Sequence, residues 1–311
     1  MHWKQMENSQ MNDKRVNVLI STYNGQKYIR DQIESIKKQS YTNIKIYVRD
    51  DGSSDGTRKI LKELAMKGEI VYIEGENIKW GRSFMELLKY ADEGDFWAFC
   101  DQDDIWLPNK IKWAVEWLDE QENEEPRLFH SAYLLMNEDL SKEIGVYNRP
   151  KYEFTFRRAL TDCLYQGFSM VINEKLRRLM LNANIDNISS HDWWACLLVT
   201  EFGKSKFDNR IASKHRRLRE SLSGGGLKGK VKWFKNILTK KNSDINCVSR
   251  EFVRVYSEQA KQKDLNLASL FILEKKYSLK KSLKKAFYPG RWRANISSEI
   301  SIRILMLLGK I

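Results

Sequence analysis

A chain of 311 residues is long enough for one large or two modest domains, and its 42% apolar content, with ten Trp and thirteen Phe, supplies a sizeable core. Its four cysteines, Cys100, Cys163, Cys196 and Cys247, lie far apart with no CxxC pair, which argues against a zinc site or a disulfide framework and fits a reducing compartment. The net charge of +13 comes from the last third: residues 201–311 hold 27 Lys and Arg against 9 Asp and Glu, whereas residues 1–200 hold 27 against 32. A basic appendage on a near-neutral body points to an anionic partner, nucleic acid or a lipid surface.

Residues 1–14 read as a polar tail without the apolar stretch of a signal peptide. No apolar run approaches the roughly 18 residues of a membrane span, Ile304 to Leu308 being far too short. Val16 to Ile20 is a first strand, followed by the turn Ser21-Thr22-Tyr23-Asn24-Gly25 and a helix over Gln26 to Gln39 with Ile29, Ile33 and Ile36 on one face. Ile44 to Val48 is a second strand, running into Arg49-Asp50-Asp51-Gly52-Ser53-Ser54-Asp55-Gly56-Thr57, and a helix spans Thr57 to Met66. Ile70 to Ile73 is a third strand. Ser83, with Glu86 three residues on, has capping-box spacing and predicts a helix start. Phe96 to Cys100 is a fourth strand, and Pro108 precedes a helix over Asn109 to Glu120.

The alternation of strand and helix predicts an α/β fold with a mostly parallel sheet flanked by helices. Such sheets bind ligands in the crevice beyond the carboxyl ends of their strands, so the polar clusters after strands one, two and four should meet there. Asp101-Gln102-Asp103-Asp104 is the most telling cluster. Three carboxylates in four positions repel one another unless a cation compensates. Mg²⁺ typically takes one or two carboxylates together with substrate phosphates, so D-x-D at a strand end reads as a metal–phosphate site. The plain alternative is a solvated acidic turn capping the next helix.

Residues 127–200 are less regular. Arg127 to Met136 is strand-like, Tyr165 to Ile172 is a turn entering a strand, and His191-Asp192-Trp193-Trp194 opens an apolar helical run over Ala195 to Val199. Ser223-Gly224-Gly225-Gly226 reads as a hinge. Beyond it, residues 228–311 read as basic amphipathic helices with apolar faces such as Val231, Phe234 and Leu238, or Phe252, Val255 and Tyr256. They fit an anionic membrane surface, or packing onto the catalytic domain with solvated basic faces.

Taken together, the three clusters resemble the family 2 inverting glycosyltransferases, whose nucleotide-sugar-binding fold is called GT-A. The resemblance covers about residues 14–220. The form Asp101-Gln102-Asp103-Asp104-Ile105-Trp106, with the later His191-Asp192-Trp193-Trp194, is most similar to the bacterial surface-polysaccharide branch, with its rhamnosyltransferases. It implies a GT-A domain over 15–222 and a pyrimidine nucleotide-diphosphate donor, dTDP-rhamnose or a UDP-hexose. The implied acceptor is a saccharide or lipid-linked oligosaccharide in O-antigen or capsule synthesis. Thr22 and Gln102 fall in the donor site, Tyr23 stacks on the base, and Asp51 accepts from the N3–H of uracil or thymine. Asp101 lies near the ribose and metal, and Asp103 binds Mg²⁺ or Mn²⁺, a Lewis acid on the departing diphosphate. Asp192 is the base that deprotonates the acceptor hydroxyl. His191 stands where many members carry Glu and competes with Asp192 for that role. His215 is a candidate for the metal or diphosphate, although Ser213-Lys214 replaces the usual Tyr-Arg before it. The expected location is cytoplasmic, at most peripheral on the inner face of the membrane. A nucleic-acid-binding protein leaves the carboxylate clusters unexplained. An inactive membrane scaffold leaves Asp101, Asp103 and Asp192 unused.

Overall fold

The computed structural model describes residues 14–91, 93–120, 125–147, 152–218, 243–273 and 277–311. They divide into two compact units. The first comprises residues up to 149, 165–181 and 190–217; the second comprises 150–164, 182–189 and 218–311.

The first unit is built on nine strands: β1 (Val16–Thr22), β2 (Ile44–Asp51), β3 (Val71–Gly75), β4 (Phe96–Cys100), β5 (Ile105–Trp106), β6 (Arg127–Met136), β7 (Glu143–Tyr147), β8 (Met170–Asn173) and β9 (Lys204–Arg216). Its helices are α1 (Ile29–Lys37), α2 (Thr57–Met66), α3 (Trp80–Tyr90), α4 (Lys110–Asp119), α6 (Glu174–Leu181) and α7 (His191–Phe202), with α5 (Phe156–Ala159) falling in the second unit. The strand order is β3-β2-β1-β4-β8-β6-β9-β5, with β7 on β6. β1 and β4 are buried along nearly their whole length, as expected of apolar runs covered on both faces. Asn17 is the one polar intrusion in the apolar run of β1, and its amide donates to the Glu93 carbonyl at 2.6 Å.

The register explains where a site can form. β3, β2, β1 and β4 run parallel, with Thr22 opposite Asp50 and Ile20 opposite Cys100, so three polar turns leave the sheet at one edge. β8 is antiparallel to β4, which puts its start, and residues 167–169 before it, at the same edge. β6 and β9 are parallel and end there too, Leu135 facing His215. The sheet is thus mixed, its parallel half followed by antiparallel and parallel pairings through β8, β6 and β9.

Two local expectations change. Ser83 does not cap a helix: α3 starts at Trp80, and Ser83 lies buried inside it with its Oγ taken by Ser21 Oγ at 2.7 Å and Arg49 Nη1 at 3.2 Å. A hydroxyl bonded across the sheet is not free to cap its own helix. Lys204 to Arg216, whose later part reads as a basic stretch in sequence, is a 13-residue strand carrying the imidazole of His215 to the common edge.

The second unit is helical: α5, α8 (Asp244–Tyr256), α9 (Gln262–Leu270), α10 (Leu279–Ala286) and α11 (Ile296–Leu307). Side-chain caps start three of them, Ser243 accepting from Asn246 N, Ser278 from Lys281 N and Asn295 from Ser297 N. Phe252, Tyr256, Phe271 and Trp292 are fully buried. The Gly224 hinge and the Val231, Phe234 and Leu238 face lie outside the described residues. Among the described residues no helix is long and apolar enough to cross a membrane.

Candidate active site

The turn after β1 is locked to the motif after β4. Gln102 Oε1 accepts from Thr22 Oγ1 at 2.6 Å and from the Tyr23 amide at 2.9 Å. Gly25 is required by closeness, since a Cβ there would lie 2.4 Å from Gln102 Oε1 and 2.6 Å from Thr22 Oγ1. The turns after β1 and β2 are stitched together as well. The Asn24 amide donates to Ser53 Oγ at 2.9 Å, and the Ser54 amide donates to Asn24 Oδ1 at 2.9 Å. Tyr23 is 49% exposed, its ring open to solvent.

The adjacent carboxylates of Asp50 and Asp51 are both buried and differently used. Asp50 Oδ2 accepts the Gly52 and Ser53 amides and Arg58 Nε, so Asp50 holds the turn. Asp51 Oδ1 accepts Ile78 N at 2.9 Å and Arg49 Nη1 at 2.5 Å; Oδ2 accepts Lys79 N at 3.0 Å. Lys79 lies at φ 74°, a left-handed conformation uncommon outside glycine, and these amide bonds help hold it.

One ligand atom each from Asp101, Asp104 and His215 lies within 4.8 Å of the others. Asp103 is half-buried on the same turn but outside that set. Asp104 is buried; its Oδ1 lies 2.8 Å from His215 Nδ1, and its Oδ2 has no hydrogen-bond partner among the described residues. The His215 ring stacks on Phe168, 4.3 Å between centroids and 4° apart in plane. Burial, then the Asp104 and Asp103 charges, pushes Asp101 up to about 8. Burial and Asp104 push Asp103 up to about 6. Burial alone would lower the His215 pKa, but the Asp104 carboxylate, with Asp101 and Asp103, raises it overall. Excess negative charge with an orphaned carboxylate oxygen is the signature of a place for a cation.

Asp192 stands in the first turn of α7. Its Oδ1 accepts Ser190 Oγ at 2.5 Å and Trp193 N at 2.8 Å, and no bond ties up Oδ2 among the described residues. Its charge reaches Asp101, so the two carboxylates share one region. His191 points elsewhere. It is 2% exposed, its ring 4.2 Å from that of Phe84, 4.5 Å from Phe99 and 5.8 Å from Trp80. A Cβ on Gly167 would lie 2.5 Å from its Nε2. Burial brings its pKa down to about 4, Asp192 opposing, so the ring is neutral at ordinary pH.

Sequence reasoning missed Lys110. A lysine at a helix start is ordinarily solvated, yet this one is fully buried beneath the carboxylates, its Nζ donating to the Phe168 carbonyl at 3.0 Å and lying 4.8 Å from the Trp106 ring centroid. Burial brings it down to about 8, against the pull of Cys100, Asp104 and Asp101. Arg49 was passed over for the same reason: on β2 it looks like a solvent-facing charge, but it is buried against Asp51.

The mixed sheet with flanking helices, its strand ends gathering carboxylates and an imidazole at one edge, has a GT-A-like fold. The fold agrees with that of residues 1–349 of TarS from S. aureus, crystallised with UDP: TM-score 0.53, 15% identity, covering 83% of this chain and 70% of that one. Residues 17–124 match the family model for glycosyl transferase family 2. It is 27% identical over 221 residues to the Escherichia coli UDP-Glc:alpha-D-GlcNAc-diphosphoundecaprenol beta-1,3-glucosyltransferase WfgD, covering 70% of this chain and 83% of that protein. To the dTDP-rhamnosyl transferase RfbG of Shigella flexneri it is 26% identical over 234 residues, covering 69% and 76%.

Proposed function

We propose that this chain transfers a sugar, with inversion, from a pyrimidine nucleotide diphosphate to a saccharide or lipid-linked oligosaccharide acceptor in bacterial surface-polysaccharide synthesis, in the cytoplasm. The observation that carries this reading is the gathering of Asp101, Asp104 and His215 at the edge where β1, β2, β4 and β9 end, within reach of the Asp192 charge. WfgD and RfbG, by their names, use UDP-glucose and a dTDP-rhamnosyl donor, and both nucleotides are pyrimidines.

Tyr23 offers an exposed ring for the base. A carboxylate has about four acceptor positions. The three donors on Asp51 leave one on Oδ2, which suits the N3–H of uracil or thymine. Thr22 and Gln102 fix this turn against the carboxylates.

Asp101, Asp104 and His215, with Asp103 on the same turn, fit a divalent cation, Mg²⁺ or Mn²⁺. Metal-bound imidazoles usually give their other ring nitrogen to a carboxylate, and Asp104 stands in that relation to His215 Nδ1, leaving Nε2 for the ion. Such an ion would neutralise the diphosphate and act as a Lewis acid toward the leaving group. In the transfer, Asp192 Oδ2 takes the acceptor hydroxyl proton as that oxygen bonds to the anomeric carbon; the bond from that carbon to the diphosphate oxygen breaks, and the nucleoside diphosphate departs. The enclosed, neutral ring of His191 supports assigning the proton to Asp192 and leaves His191 to shape the donor pocket from beneath.

Calorimetric titration with dTDP, UDP, GDP and ADP, with and without Mn²⁺, tests the reading. Metal-dependent binding of a pyrimidine diphosphate is the expected result, and its preference between dTDP and UDP names the donor. Absence of binding by all four to the folded protein would refute it.

A further inference from the structure

The second unit leaves apolar surface uncovered in a regular pattern. Along α10 and at its C-cap, Leu279, Leu283 and Phe287 recur every fourth residue, and Phe287 is 73% exposed. Along α11, Ile296, Ile300 and Ile304 do the same. Residues four apart share one helix face, so each helix carries a continuous apolar stripe toward solvent. Neither stripe is used within the unit, whose buried positions on these helices are Ser282, Lys285 and Ala286 on α10 and Glu299, Ile302, Leu305 and Met306 on α11.

The charge around the stripes has one sign. Residues 277–311 contain eight Lys and Arg and a single acidic residue, Glu299. Glu299 is buried, accepting the Trp292 and Arg293 amides at 2.9 and 2.7 Å and Arg303 Nε at 2.6 Å. No carboxylate side chain is therefore exposed between 277 and 311, while Lys280, Lys284 and Arg291 are.

We propose that the α10–α11 face docks on an anionic lipid bilayer, with the two stripes entering the headgroup–acyl boundary and the lysines meeting lipid phosphates. Amphipathic helices with Lys on the polar side bind in this way, through buried apolar area plus attraction to anionic lipid. Charge selects this occupant over two others. Residues 219–242 of this chain carry seven basic residues against one acidic, and a second copy would present the same basic face, so like charge opposes both. The proposal goes beyond sugar transfer and stands on the surface alone.

The test is co-sedimentation of the full chain with phosphatidylcholine vesicles, with and without phosphatidylglycerol. Retention on the phosphatidylglycerol vesicles, weakening as salt is added, is expected. The triple variant Leu279→Ser, Leu283→Ser, Phe287→Ser should lose about tenfold in vesicle affinity. Lys280→Ser with Lys284→Ser should lose the preference for anionic lipid. All are surface changes, and circular dichroism checks that the fold is kept. No retention at low salt, or a triple variant that binds like the parent, overturns the proposal. So does a parent dimer that the triple variant dissociates with vesicle binding unchanged, for that assigns the face to a second copy. Nucleotide binding on the same samples separates the two ideas: vesicle retention without it removes the transferase reading alone, and the reverse removes the docking surface alone.

Discussion

Two sets of buried acids, one in each unit, are wired in opposite ways. In the helical unit Glu251 is 1% exposed and fully engaged, with Arg254, the Asn184 amide and Asn187 Nδ2 all donating to it. Burial alone would raise its pKa, yet these donors bring it below the usual carboxylate range. At the sheet edge Asp101 and Asp103 go the other way, raised by burial and then by the Asp104 charge, with Asp104 Oδ2 left unbonded. The first wiring stabilises a fold. The second leaves excess negative charge that His215 offsets only in part, the pattern expected of a binding site rather than of a structural ion pair.

The sharpest way to break this contrast is Asp192→Asn. Transfer should fall by ~10²–10⁴-fold if Asp192 takes the proton. Metal-dependent nucleotide binding should persist; turnover that survives moves the base elsewhere. Next, Asp104→Asn should weaken Mn²⁺ binding by roughly 10–100-fold through loss of the carboxylate that orients His215, measured by calorimetry. Asp103→Ala should cost more than that, and equal donor affinity with metal present would remove Asp103 from the ligand set. In the other unit, Glu251→Ala should cost about 2 kcal/mol of stability in denaturant unfolding by stranding its donors, with nucleotide binding kept.

The smallest effect is on pH dependence. His191 has its folded pKa lowered to about 4, so between about 6.5 and 4 the unfolded chain binds the proton and the folded chain does not. Stability from this group is full above 6.5 and is lost as pH falls through that window. His191→Leu should therefore flatten the acid side of the stability curve, by about 2 kcal/mol between pH 7 and pH 5. Parallel curves for the two proteins would show that the ring is not buried in solution.

Much of the first unit is legible because its strands are short, doubly buried and followed by turns of marked composition. β4 at Phe96–Cys100, β6 at Arg127–Met136 and α2 at Thr57–Met66 fall where the residues alone put them. What sequence could not give is pairing across distance. β9 carries six Lys, Arg and His residues among its thirteen and shows no apolar alternation. Its place in the sheet comes from partners on β6, dozens of residues earlier. Ser83 satisfies a local capping rule that a contact to Arg49 on another element overrides. Lys110 is hidden for a related reason: nothing near it in the chain says that the Phe168 carbonyl will be waiting.

The stitching of the turns after β1, β2 and β4 has a thermodynamic consequence. Gln26 and Asp55 extend it, the Gly56 amide donating to Gln26 Oε1 at 2.7 Å and the Gln26 amide to Asp55 Oδ2 at 3.2 Å. Loops that are already ordered surrender little conformational entropy when a nucleotide arrives. On the proposed reading, the freedom that binding must still freeze lies in the exposed ring of Tyr23 and in the ligand itself. Recognition of a base there would be a nearly rigid encounter, and changes of donor specificity would require altering side chains on a fixed frame rather than remodelling the frame.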